Sequence, residues 1–163
     1  QSGCPAAPTC AGLVYSLVTA ADVEAYLHEH IPQSISMGVR VASLDERGVR
    51  LTAPLSPNIN HRGTVFGGSA AAVAMLAGWA LVHAHLAGRP DVRLVIRRQQ
   101  MEFDAPIDGD FDAVCEDPGD EGWAQFERGL EHMGKGRVQL RVRLNRGAAD
   151  LATFDGVYVA VSA

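Results

Sequence analysis

The sequence predicts an α+β domain in which an antiparallel sheet of about six strands curls around one long buried helix. Three observations lead there. The segment 67–86 is apolar on every side and rich in Ala and Gly, as a helix enclosed by protein would be. Two strand-like stretches precede it and four follow it, and 163 residues leave room for only one core of ordinary size. The stretch 137–145 supplies the third. It places Val138, Leu140, Val142 and Leu144 on one face and Arg137, Gln139, Arg141 and Arg143 on the other, so one side can cover the helix.

Along the chain, residues 1–17 read as a flexible leader ahead of a single domain spanning 18–163. Residues 1–12 lack the basic start and apolar run of a secretory signal. Thr19 is a helix N-cap with Asp22 three residues on, and Val18 and Val23 are spaced as a hydrophobic staple. That helix should end near Glu29 or His30, before Pro32. Stretches 37–44 and 48–55 form a hairpin around the turn Asp45-Glu46-Arg47. The long helix is expected over 68–86, closed by Gly88 and Pro90. Strands then follow at 92–103, 111–116, 137–145 and 153–161. The amphipathic piece 121–133 between them could be a helix or an ordered loop.

Composition narrows the function. Apolar residues make up 47% of the chain and charged residues 20%, a globular balance. A net charge of -5 opposes nonspecific nucleic-acid binding, so an anionic partner must meet a local basic patch. Cys4, Cys10 and Cys115 form neither an even disulfide set nor a metal pair, which fits reduced thiols in a cytoplasmic protein. The apolar segment is long enough to cross a bilayer. Its small residues and its histidines, His83 and His85, favour a soluble core instead, so no membrane partner is expected. The pairs His83/His85 and His28/His30 are two residues apart and diverge on a helix, so no metal site is expected there.

The chemistry concentrates in residues 56–69, which run directly into the long helix. Glycines at a helix start leave backbone N–H groups uncovered where the dipole favours negative charge, a place to hold an oxyanion. Gly63 and Gly68 have phosphate-loop spacing, but Ser69-Ala70 stands where Lys and Ser or Thr are needed. Gly67-Gly68-Ser69-Ala70-Ala71 lacks the closing glycine of a nucleophile elbow, and Ser69 has no recognisable His and acid partners.

The pattern Asn60-x-x-Gly63-Thr64-x-Phe66-Gly67-Gly68-Ser69, followed by Leu76-Ala77-Gly78-Trp79, resembles a known family. So do Phe103-Asp104-Ala105-Pro106, Gly109-Asp110-Phe111, Gly136-Arg137 and the run from Phe154 to Ala160. The family is the hotdog-fold thioesterase-like domain found alone or fused to an acetyltransferase, and it includes malonyl-ACP decarboxylases. The resemblance implies a homodimer, or a higher oligomer built from it, with each active site at the interface. It also implies that Asn60 and the N–H groups of Gly67 and Gly68 polarise a thioester carbonyl. His61, Arg62, Thr64, Phe66, Ser69, Met75 and Arg137 are the candidate substrate-binding positions.

In the hydrolases of this kind a histidine precedes the glycines and a helix carboxylate of the partner activates water. Here Phe66 replaces the histidine, Met75 stands near the carboxylate's place, and no Asp or Glu occurs between Val65 and Arg89. Decarboxylation of malonyl-ACP to acetyl-ACP needs oxyanion donors and a dry pocket but no base, and is the favoured expectation. Thioester hydrolysis and noncatalytic acyl binding are the alternatives. The acyl group would ride on the phosphopantetheine of acyl carrier protein (ACP) or coenzyme A (CoA), with no other cofactor. The cations Lys135, Arg137, Arg141, Arg143 and Arg146 would receive CoA phosphates or an acidic carrier surface, or simply form a solvated outer sheet face.

Overall fold

A computed structural model describes residues 18–163. The leader assigned to residues 1–17, with Cys4 and Cys10, lies outside the described residues. Helix α1, Ala20–His30, begins with the expected capping box: Asp22 N–H donates to the Thr19 hydroxyl while the Asp22 carboxylate accepts from the Thr19 N–H. It ends before Pro32, yet that proline opens a second short helix, α2, Pro32–Ser36. Proline fits a first helical position, where no N–H is needed. The consequence is a later first strand. Met37 and Gly38, expected inside it, instead close α2, Gly38 with a φ of 69°.

Strands β1, Arg40–Asp45, and β2, Gly48–Ala53, form the expected hairpin, with β2 stopping just before Pro54. Helix α3, Gly67–His85, is followed by β3, Val92–Phe103, and β4, Phe111–Glu116. The ambiguous amphipathic piece is a helix, α4, Gly119–Met133, burying Trp123, Phe126 and Leu130. Strands β5, Lys135–Arg146, and β6, Ala149–Ser162, complete the chain and run longer than their apolar alternation alone indicated.

The six strands make one sheet in the order β1-β2-β4-β5-β6-β3, with every pairing antiparallel. Its inner face carries Val138, Leu140, Val142, Leu144, Phe154 and Tyr158, all buried, and wraps α3. The hotdog arrangement expected from the sequence therefore forms. By length and hydropathy α3 could cross a membrane, but 56% of it is buried within this domain, so it serves as the core helix. Helix α4 covers the flank of the core by laying Gly129 against the start of β5, where a Cβ would meet the Lys135 carbonyl at 2.7 Å.

Two features of this packing matter for the site. The Tyr158 hydroxyl reaches the middle of α3 and donates to the Met75 carbonyl at 2.8 Å, and any side chain at Gly78 would collide with its ring. At the sheet margin, no strand among the described residues pairs with the outer edge of β3, which runs for twelve residues. Gln99 and Phe103 lie on the helix-facing side of β3 yet remain exposed, so the inner face is bare at this edge.

Candidate active site

The loop from Pro54 to Phe66 is built by two asparagines with different tasks. Asn58 is 1% exposed; its side-chain amide donates to Met37 O at 2.8 Å and Pro54 O at 2.7 Å, and its backbone carbonyl accepts from Phe66 N–H at 2.7 Å. Its Oδ1 is buried with no hydrogen-bond partner. Asn58 thus ties α2, the end of β2 and the start of α3 into one unit. Further pins come from Leu55 N–H to the Asp110 carboxylate and from Val65 N–H to Ile107 O.

Asn60 folds the tip. Its Oδ1 accepts from Arg62 N–H at 2.8 Å and Thr64 N–H at 3.3 Å, closing an Asx turn in which Gly63 takes a φ of 78°. Its amide donates to the Thr64 hydroxyl at 2.9 Å and to Val65 O at 3.3 Å. The Asn60 amide expected to face a substrate is therefore occupied within the turn in this conformation. Of its two donations, the long one to Val65 O is the weaker and the easier to exchange. His61 and Arg62 stand exposed at the tip.

Helix α3 starts at Gly67 with no side-chain cap, and the first intrahelical bond is that of Ala70 N–H to Phe66 O. The N–H groups of Gly67, Gly68 and Ser69 precede it, and no other part of the helix can satisfy them. The Phe66 ring lies over Gly68 and is 57% exposed, while the Phe103 ring stands where a Cβ on Gly67 would be 3.3 Å away. Beside Gly67 opens a cavity of about 400 Å³ lined by Val65, Phe103, Asp104, Ala105, Pro106 and Ile107. A Cβ at Gly68 would collide with the Phe66 ring at 2.4 Å, and one at Gly67 would crowd Phe103, so both glycines suit a turn held between two aromatic rings.

The structure therefore gathers Asn60, Thr64, Phe66, Gly67, Gly68 and Ser69 at one place, with Met75 two turns up the same helix and partly buried. Arg137 is not among them. It pairs with Val159 on the outer face of the sheet, whereas Phe103 pairs with Ala152, so the two differ by seven residues along β6. That separation is roughly 23 Å at about 3.3 Å per residue. Alternation in β5 put Arg137 on the outer face, but only the sheet register reveals how far it lies from the loop.

Asp104 is a site residue that the sequence reasoning passed over, although Phe103-Asp104-Ala105-Pro106 was one of the recurring motifs. It is an exposed carboxylate at the cavity wall, delivered by the loop after β3 rather than by the helix. The histidines of α3 are structural. His83 stacks on Trp79 and lies against Tyr26, and burial followed by the nearby His30 lowers its pKa. His85 stacks on Trp123 at 3.7 Å; burial lowers its pKa, partly countered by its 2.9 Å bond to Glu127. Among the described residues no cluster of His, Cys, Asp or Glu could hold a metal. Cys115 is buried in β4, which pushes its thiol up to about 12.

Residues 20–162 match the family described as "Putative thioesterase (yiiD_Cterm)". The chain belongs to this family. Among solved structures, a protein of unknown function from Chlorobaculum tepidum superposes with a TM-score of 0.83 at 28% identity, covering 91% of this chain and 99% of its own. A protein from Shewanella oneidensis named as a putative thioesterase gives 0.77 at 29% identity, covering 87% and 96%. A third, from Pseudomonas aeruginosa, shares the fold with a TM-score of 0.78 at 22% identity, covering 90% and 97%.

Proposed function

We propose that this family member acts on short acyl thioesters carried by ACP or CoA, and that its reaction is decarboxylation of malonyl-ACP to acetyl-ACP. The observation that carries this reading is the pairing of unclaimed N–H groups at Gly67, Gly68 and Ser69 with an apolar cavity, on a helix bearing no Asp or Glu. The thioester oxygen accepts from these N–H groups, joined by the Asn60 amide once it releases Val65 O. The bond from C2 to the carboxylate then breaks, its electron pair forms the enolate, carbon dioxide leaves, and C2 takes a proton from water. Desolvation beside Val65, Phe103 and Pro106 weakens the hold on the departing carboxylate, while fixed donors stabilise the new charge.

The working unit in this reading is a homodimer in a cytoplasmic setting. The unpaired edge of β3 is a template for a second copy, and two-fold antiparallel pairing would also shelter Gln99 and Phe103. Monomers in sedimentation at micromolar concentration would refute that part.

Hydrolysis is the second reading, favoured by Asp104, which stands at the cavity wall where a general base for water is otherwise missing. One experiment separates the two. Malonyl thioester is supplied, and carbon dioxide and free thiol are both measured, for the wild type and Asp104→Asn. Decarboxylation gives carbon dioxide without matching thiol and survives the substitution. Hydrolysis gives stoichiometric thiol that the substitution removes. Neither product from any acyl thioester would leave an acyl-binding module.

A further inference from the structure

The outer face of the sheet holds a basic patch with an apolar spine at the end of β3 opposite to Phe103. The register aligns three rows across β5, β6 and β3: Lys135 with Val161 and Arg93, Arg137 with Val159 and Val95, and Gln139 with Val157 and Arg98. All nine side chains point away from α3 by strand alternation. Val95 is 51% exposed and Val161 37%, while Val159 between them is covered at 2%. Among the described residues Arg93, Arg98, Lys135 and Arg137 make no ion pair, whereas Arg141, Arg143 and Arg146 are each matched to acids. The next row brings the first carboxylate, Asp155, and both its oxygens are taken by Arg141. In a chain of net charge -5, four unmatched cations around exposed valines form a local exception.

The dimensions fit one kind of occupant. Three strands span roughly 10 Å and three alternate rows roughly 13 Å, the footprint of two to three helical turns. Cations on both flanks of an apolar spine complement a helix that carries an apolar ridge between acidic side chains, whose spacing of about 6 Å per turn approximates the rows. We propose that this face docks an acidic amphipathic helix of the protein that carries the acyl thioester. The inference rests on the proposed thioester activity and selects a protein carrier over free CoA. If two copies join antiparallel along β3, the β3 start of one copy meets the β3 end of the other. A carrier on the patch then sits at the rim beside the partner's glycine turn, with the arm reaching around the end of the sheet.

The test compares carriers. Two double variants, Arg93→Glu with Arg98→Glu and Lys135→Glu with Arg137→Glu, are assayed on malonyl thioester borne by a purified bacterial acyl carrier protein and by CoA. These exposed, unpaired side chains can be reversed with little effect on folding. Docking predicts that KM for the protein-borne substrate rises at least about tenfold while kcat/KM for malonyl-CoA stays within about twofold. The wild type should lose kcat/KM on the protein carrier between about 50 and about 300 mM salt, and the variants should lose less. Equal losses on both carriers, or none on either, overturn the inference. If neither substrate is turned over, the proposed activity fails. Docking is then decided by titrating isotope-labelled acyl carrier protein with wild type and variants, and wild-type binding no tighter than that of the variants overturns it.

Discussion

Replacing Asn58 with alanine removes two donors at once, one from a buried carbonyl and one from a half-buried carbonyl. The Met37 and Pro54 carbonyls, reached at 2.8 and 2.7 Å, lose their side-chain partner. Each lost bond costs about 1 kcal/mol, and each carbonyl left stranded in a buried site costs about 1 to 3 kcal/mol in place of that figure. The substitution also removes the unpartnered Oδ1, which returns about 1 kcal/mol. A net loss of about 1 to 5 kcal/mol is expected. Urea unfolding at fixed protomer concentration should show it as a fall in midpoint without a change in slope. In a domain of this size it corresponds to a fall in Tm of roughly 3 to 15 °C. Asn58→Asp should be at least as damaging, because it aims a carboxylate at two carbonyl oxygens. If Asn58→Ala stays within about 0.5 kcal/mol of the wild type, the amide is not what holds the loop, and the position assigned to Gly67 loses its support.

Other substitutions separate catalysis from stability. Asn60→Ala should unfold within about 1 kcal/mol of the wild type, since its partners can turn to water, while turnover of the best thioester falls about 100- to 1,000-fold. Gly78→Ala should destabilise by about 1 to 3 kcal/mol in urea, because the new methyl overlaps the buried Tyr158 ring. His83 and His85 both have pKa values lowered by burial, so the unfolded chain binds protons more readily than the folded one below the usual histidine range. Stability should be flat between about pH 7 and 8 and fall as pH drops below about 6.5, and His85→Gln should reduce that slope in urea titrations at several pH values.

Much of the architecture is legible because its signals are strong and local. An all-apolar run ending in Gly88 and Pro90 has few options besides a buried helix, and the alternation from Val138 to Leu144 states which face of β5 is inside. Helix α2 was hidden because Pro32 both ends one helix and begins another, and only the buried Ser34, bonded to Leu27 O, shows how the second packs back. The site was legible as a segment but not as an arrangement. Asn58 and Asn60 are chemically alike and two residues apart, and their burial, not their type, divides structural from solvent-facing duties. Asp104 was obscure for another reason. A carboxylate supplied by the loop after β3 cannot be linked to the glycine turn until the chain is folded, because 36 residues of separation carry no spacing rule.

The hydrogen bond from Tyr158 to the Met75 carbonyl addresses a problem of phase. A helix made largely of small apolar residues has its roll about its own axis only loosely fixed by hydrophobicity, although Trp79, His83 and His85 mark half-buried positions. One hydroxyl reaching one carbonyl, with Gly78 as the only vacancy that admits the ring, selects a single roll. Every residue of α3 inherits its bearing from that contact in steps of about 100°. Adding one residue between Gly68 and Met75 would leave Gly78 keyed to Tyr158 and swing Gly67 a quarter-turn or more away from Phe103. The same insertion after His83 would leave the glycine turn where it is. The bearing of the Gly67 and Gly68 N–H groups thus depends on a tyrosine bonded more than two helical turns away, which never touches them.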